Sequence, residues 1–249
     1  MMTEQDMEQL IKERLPAVTG EWLQQQAVLV REEKGAAALN RSFAFIPRKT
    51  GIGAAGAGGA VVAGAAGGAV GGGGTPAGPL GDGAVAGAAV AGWAIDRICR
   101  VWLLMQVDSA DQSVYLEKID NLFSGASMNE EVALYSALPV LAYPIEWQKR
   151  CAVGVRSNIG PVLEAIMYDN SYPSEHLAEP AWNQMVLKAF FTDKDVRRIV
   201  GLDQRANPSL AGMLFDYARE RKAAGRGVDP QLWRLTAPFP EADRGAIGG

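Results

Sequence analysis

A tract of glycine and alanine between residues 51 and 92 constrains the fold of this chain more than any other feature. It holds 17 of the 29 glycines together with 14 alanines in 42 residues, and Asp82 is its only charged residue. Each glycine disfavours a helix by about 1 kcal/mol relative to alanine, so a continuous helix here is strongly penalised. We therefore predict a disordered, flexible loop over 51–92, which joins the elements on either side without fixing their geometry.

The first part of this Gly/Ala tract, residues 51–74, is uncharged and long enough to span a bilayer. Half of these residues are glycine, and leucine and phenylalanine are absent, so membrane insertion would gain little free energy. We predict no transmembrane segment and keep membrane association through 51–92 as a second alternative. The first residues carry Glu4, Asp6 and Glu8 where a secretory signal has basic residues, so the expected location is cytoplasmic.

The overall composition excludes several classes of function. The chain has 24 basic and 28 acidic side chains, so it lacks the basic surplus that nucleic-acid binding requires. One histidine, His176, and two cysteines are too few for multi-histidine or four-thiolate metal sites. The glycine match to a dinucleotide-binding motif at Gly51–Gly56 follows no predicted strand. We predict no catalytic residue, no metal and no cofactor, and we predict that Cys99 and Cys151 are core thiols.

Outside the Gly/Ala tract, apolar residues recur at helical spacing and prolines separate the segments. These patterns predict an all-α fold, an irregular array of antiparallel helix pairs of the HEAT or armadillo kind. We expect N-terminal helices in 1–50 that pack on a main helical domain at 93–238, followed by a tail at 239–249. The predicted helices are 3–15, 19–34, 36–46, 93–107, 114–123, 132–138, 145–157, 162–168, 182–191, 208–224 and 231–235.

Several helix boundaries have specific signals. Ser109 with Gln112, and Ser127 with Glu130, have the spacing of a capping box, in which each side chain bonds to the other residue's backbone N–H. Asn207, Asp229 and Gly225 have the residue types of helix caps. Pro47 is predicted to end the third helix, and 169–176 is predicted to be a turn.

The most informative polar stretch is 156–188. Its amides and Lys188 could offer hydrogen bonds to an anionic or carbonyl-bearing ligand, or to a partner protein. An apolar metabolite could alternatively lie in a groove walled by tryptophan and methionine. The candidate ligand- or partner-binding residues are Arg156, Asn158, Asn170, Tyr172, His176, Asn183, Gln184 and Lys188. On the same helix, an apolar stripe is predicted to face the core: Trp182, Met185, Val186, Ala189 and Phe190.

An enzymatic alternative uses His176, Asp203 and Lys188 as acid–base groups. It requires these three side chains to converge in one cleft, within about 8 Å of each other. In the competing interpretation, Asp203 forms a structural ion pair with Arg198 or Arg205.

Five runs of the sequence resemble the EboA-domain family: Arg156–Asn158, Asn170–Pro173, Ala181–Ala189, Ile199–Pro208 and Gln231–Leu235. The segment 93–104 looks like the central helix of that family, and the Gly/Ala tract departs from its pattern. The resemblance implies an EboA-like domain over 93–238 that acts in the traffic or export of secondary-metabolite precursors. It also implies prenyltransferase-like, sugar-isomerase-like and metal-hydrolase-like partner proteins from the same gene cluster. It implies no catalytic residues, so we expect a non-enzymatic adaptor or carrier.

Overall fold

The computed structural model describes residues 3–33, 35–51, 90 and 92–243. The loop predicted over 51–92 falls almost wholly on 52–89 and therefore lies outside the described residues. Across the described ranges the regular structure is helical, and one isolated antiparallel bridge joins Tyr168 to Ile199. The all-α prediction is confirmed. The HEAT- or armadillo-like arrangement of the helices stays a prediction.

The chain divides into two compact units, Met1–Leu122 and Phe123–Gly249, called unit 1 and unit 2 below. The domain boundaries predicted from the sequence differ from this division and stay a prediction. Among the described residues, unit 1 has the helices α1 (Glu4–Arg14), α2 (Ala17–Glu32), α3 (Ala37–Lys49), α4 (Ile95–Leu104) and α5 (Gln112–Gly125), which ends just inside unit 2.

Helix α4 forms the centre of unit 1, as its apolar sequence predicts. The side chains from Ile98 to Leu104 are all buried, and α1, α2 and α3 each pack against this helix. One of these buried residues is charged. The Arg100 guanidinium contacts the Asp96 carboxylate at 2.6 Å and donates through Nε to the carbonyl of Phe43 at 3.2 Å. Both charges are therefore paired in the core, where an unpaired charge would be very costly.

The hydrogen bond from Arg100 to the carbonyl of Phe43 explains why the predicted end of the third helix was wrong. Pro47 does not end the third helix but lies inside α3, which continues to Lys49. A proline has no N–H to donate to the carbonyl four residues earlier, which here belongs to Phe43. Arg100 donates to that same carbonyl, so the helix can continue past the proline without leaving a buried acceptor unpaired.

Over 123–243, the described part of unit 2, there are seven further α-helices and four short 3-10 helices. The pairs α6–α8, α7–α8, α10–α11 and α11–α12 pack against each other. The α-helices are α6 (Met128–Ala137), α7 (Gln148–Val155), α8 (Gly160–Met167), α9 (Tyr172–His176), α10 (Glu179–Phe191), α11 (Pro208–Ala223) and α12 (Pro230–Thr236). The 3-10 helices are Leu138–Val140, Pro144–Trp147, Val196–Arg198 and Pro240–Ala242. The turn predicted over 169–176 was wrong in part, because α9 begins at Tyr172.

Most predicted caps are present, and one was wrong. Ser127 and Glu130 form the expected capping box, and Asn207 accepts from the N–H of Leu210 at 2.9 Å. The predicted box of Ser109 and Gln112 does not start α5, because the helix begins at Gln112 itself. The preceding Asp111 carboxylate instead accepts from the backbone N–H groups of the first turn.

Candidate functional site

Lys188 is held at the end of a neighbouring helix. Its ammonium donates to the carbonyls of Val155 at 2.9 Å and Ser157 at 2.6 Å, where α7 ends. These carbonyls lack helical partners, and a cation there also complements the helix dipole. Burial lowers the pKa of the Lys188 ammonium below its ordinary value. The lysine predicted to face a ligand thus fixes the chain at 155–157.

Three other predicted site residues point outward around that fixed point. Arg156 and Asn158 flank Ser157 and are exposed, and Gln184 is exposed one helical turn before Lys188 on α10. Within the described part of the chain, none of the three side chains makes a hydrogen bond or ion pair. Their polar groups are available to a partner.

Asn170 and Tyr172 make hydrogen bonds in the interior of unit 2. The Asn170 amide donates to the carbonyls of Tyr135 and Ala165 at 3.0 and 2.9 Å, and it accepts from the N–H of Tyr172 at 3.0 Å. The Tyr172 hydroxyl donates to the carbonyl of Pro144 at 2.5 Å, and burial raises its pKa above the ordinary value. Both side chains are buried and join α6, α8 and the start of α9.

His176 ends α9, and part of its ring remains exposed. The ring lies 4.7 Å from the ring of Tyr172, centroid to centroid, and Nε2 lies 3.6 Å from the Glu175 carboxylate, which extends into solvent. The histidine therefore has one aromatic neighbour and one surface carboxylate beside it.

Asn183 faces the interior of unit 2 on α10. Its amide and that of Asn207 bond reciprocally at 2.9 and 3.2 Å, and Asn207 also caps α11. Trp182 and Met185 on the same helix are fully buried, as are the other members of the predicted core stripe. A tryptophan- and methionine-walled groove cannot use these two side chains without opening the core.

The acid–base groups of the enzymatic alternative have separate partners. Asp203 pairs with Arg234 of α12, Lys188 bonds to the end of α7, and His176 contacts Tyr172. The predicted pairing of Asp203 with Arg198 or Arg205 was wrong, since both arginines have other partners. Arg198 pairs with Asp169, and Arg205 donates to two carbonyls at the end of α9.

The two thiols are core residues, as predicted. Burial raises the pKa of Cys99 and of Cys151 to about 12, so both stay protonated near neutral pH. Among the residues that the structure describes, no three of the histidine, cysteine and acidic side chains cluster as a metal site would require. No helix in the described ranges is long and apolar enough to cross a membrane.

Unit 1 contains a groove that the sequence did not reveal, and we call it the α1–α2 groove. Its volume is about 600 Å³. The apolar part of its lining is Ile11, Leu15, Leu23 and Trp102, and its polar part includes Glu8, Lys12, Glu21, Gln24 and Gln25. Leu15 and Ala17 lie on either side of the turn at Pro16, and Trp102 enters from α4, about 80 residues later. Only the helix packing brings these segments together, so periodicity alone could not have located the groove.

The comparison with known families covers most of the helical part of the chain. The sequence model of the EboA family, described as metabolite traffic protein EboA, matches residues 83–237. The chain belongs to the EboA family. No curated protein and no solved structure matches it. The role in metabolite traffic therefore follows from the family, while the mode of action has to be argued from the geometry of this EboA chain.

Proposed function

We propose that this protein is a non-enzymatic adaptor in metabolite traffic, and that it holds a partner protein on a surface of unit 2. The surface consists of Ile145, Lys149, Val153 and the segment Arg156–Ile159, and we call it the α7 surface; Gln184 lies one helical turn before Lys188, which bonds to this segment. The three groups of the enzymatic alternative, His176, Asp203 and Lys188, have separate partners, which supports a binding role over a catalytic one.

The observation that carries this proposal is the exposure of large apolar side chains on the α7 surface. Ile145, Val153 and Ile159 are 61%, 55% and 40% exposed. Lys149 and Val153 lie four residues apart on one face of α7, and Ile145 precedes them on the 3-10 helix Pro144–Trp147, which runs directly into α7. Large apolar side chains exposed near each other are typical of sites where another protein binds.

Charge indicates the chemistry of the partner. Lys149 and Arg156 lie on the same stripe as the apolar side chains, and both are exposed. A partner segment with apolar side chains flanked by carboxylates would match this pattern, and the charges would speed its association. Lys188 holds the main chain at 155–157, so little conformational freedom would be lost on binding.

Co-expression with the prenyltransferase-like, sugar-isomerase-like and metal-hydrolase-like proteins implied by the family tests this proposal. We expect the wild-type chain to retain at least one of them in a pull-down. The double variant Val153→Glu/Arg156→Glu should weaken that binding at least about tenfold, because it buries a charge and reverses another. A matched control is Val200→Glu/Arg226→Glu, which changes one exposed valine and one exposed arginine elsewhere in unit 2.

Two results would overturn the adaptor proposal. One is the absence of binding by wild type to all three proteins. The other is equal binding by wild type and the Val153→Glu/Arg156→Glu variant while the latter keeps its circular dichroism spectrum.

A further inference from the structure

We propose that unit 1 binds a small, largely apolar molecule with a neutral hydrogen-bond acceptor in the α1–α2 groove. This inference goes beyond the adaptor function and does not rest on it, since every residue involved belongs to unit 1.

The size and lining of the groove fit a small molecule. Its volume of about 600 Å³ lies in the range of pockets that hold ligands of drug size. The buried part of the lining is apolar, with Ile11, Leu23 and Trp102 at most 6% exposed. Polar side chains such as Lys12 and Gln24 are exposed and lie toward solvent. An apolar body with a small polar group suits this division.

Trp102 carries a hydrogen-bond donor whose partner is missing. Its side chain is 1% exposed, and Nε1 has no acceptor within the part of the chain that the structure describes. A buried donor without an acceptor is unfavourable, and native proteins usually satisfy such groups with water or a ligand. Nε1 itself is closed to solvent, so a ketone, ester or ether oxygen of a ligand in the groove would reach it, and gain affinity from it, only as the surrounding side chains move aside.

The charges around the groove favour a neutral ligand over an anion. Glu8 and Glu21 contribute two carboxylates to the lining and Lys12 contributes one ammonium. The carboxylates outnumber the cation, so an anionic head group would meet net repulsion.

Gly20 provides a direct way to fill the groove. It lies on α2 within the lining, and a Cβ at this position would meet no atom within 4 Å. A larger side chain at residue 20 can therefore enter the groove without displacing the core.

Two fluorescent probes test the inference with the full-length protein. Prodan has an apolar naphthalene body and a ketone acceptor, whereas N-phenylnaphthylamine has a similar body without a carbonyl. We expect saturable binding of both to wild type, and a loss of at least about tenfold in affinity for both in Gly20→Trp. Gly125→Trp is the matched control, because Gly125 also has no atom near its Cβ position and lies outside the groove.

The variant Trp102→Phe tests the role of the donor separately. It keeps an aromatic ring but removes the N–H, so prodan affinity should fall about three- to tenfold while N-phenylnaphthylamine affinity changes much less. Equal losses for the two probes would refute the role of the donor. If thermal melting shows that Gly20→Trp does not fold, the smaller substitution Gly20→Leu replaces it.

Three outcomes would overturn the ligand site itself. It is overturned if wild type binds neither probe, if Gly20→Trp binds both as well as wild type does, or if Gly20→Trp abolishes a dimer seen by size-exclusion chromatography with light scattering. The last result would assign the groove to a second copy of the chain. Each of them leaves the pull-down with the α7 surface unaffected, so the two proposals can fail independently.

Discussion

Replacing Lys188 by methionine should destabilise unit 2 substantially, although the residue lies on a partly exposed face. The substitution keeps the length of the side chain and removes two hydrogen bonds, to the carbonyls of Val155 and Ser157. Hydrogen bonds to a charged group are worth about 1.5–3 kcal/mol each at most, and the cation at the helix end adds about 0.3–1 kcal/mol. Water can reach part of the site and replace some of these bonds, so we expect a net loss of about 2–3 kcal/mol.

Urea denaturation measures this loss directly, as a lower midpoint with an unchanged dependence on urea concentration. For a chain of this size the same loss lowers Tm by about 4–12 °C. Lys194→Met is the matched control, because Lys194 bonds at 2.5 Å to Glu164, a carboxylate that is 44% exposed. A pair with one exposed partner contributes about 1 kcal/mol or less. A loss of stability in Lys188→Met no larger than that in Lys194→Met would refute the structural role of the two Lys188 hydrogen bonds.

Two further predictions concern glycine packing and the buried thiols. Gly154→Ala should lower the free energy of unfolding by about 1–3 kcal/mol, because the new Cβ would lie 2.5 Å from the ring of Tyr135. Gly212→Ala leaves 3.7 Å between the new Cβ and the nearest atom, so it should instead stabilise α11 by about 0.5–1 kcal/mol. Chemical denaturation should show these opposite signs. The pKa of Cys99 and Cys151 is raised from 9.0 to about 12, so unfolding above pH 9 releases protons and stability falls as pH rises from 9 toward 12. Each thiol should account for about 1 kcal/mol of that loss by pH 10, and the double alanine variant should show a correspondingly flatter decline in denaturant midpoint.

The sequence was sufficient to predict buried helix faces and helix caps wherever the residues involved lie close together in the chain. The stripe from Trp182 to Phe190 predicted the buried face of α10, because apolar spacing reports directly which side of a helix faces a core. Ser127 and Glu130 predicted their cap, since both partners lie within one turn. Pro47 misled the helix prediction because the group that replaces its missing N–H, the guanidinium of Arg100, comes from a distant helix.

The candidate site was harder to predict because the partners of its polar residues are remote in sequence. Lys188 looks like a solvated residue on α10, yet its acceptors lie more than 30 residues earlier in the chain. Asn170 looks like a turn residue, yet it bonds to a carbonyl 35 residues earlier. A sequence shows that a residue can donate hydrogen bonds but not whether the protein or a ligand will accept them. The exposed Arg156 and Gln184 remain candidates because their side chains have no internal partner in the described residues.

Four basic side chains share one structural role in this fold. Lys118 bonds to the carbonyl at the end of α2, Lys188 to those at the end of α7, and Arg205 to two at the end of α9. Arg100 bonds to the carbonyl left free by Pro47 in α3. Most of these carbonyls lack helical partners, although that of Pro173 also accepts from the N–H of Leu177, and three of the four cations lie at helix ends, where positive charge is favoured.

This use of basic residues bears on where a partner can bind. A basic side chain that already satisfies buried or half-buried carbonyls cannot move to a ligand without leaving those carbonyls unpaired, at a cost of about 1–3 kcal/mol for each. The side chains of Lys149 and Arg156 bond to no carbonyl within the described residues, and both lie beside exposed apolar side chains. Lys149 and Arg156 are thus two charges free to recognise a partner, and both belong to the α7 surface of the adaptor proposal.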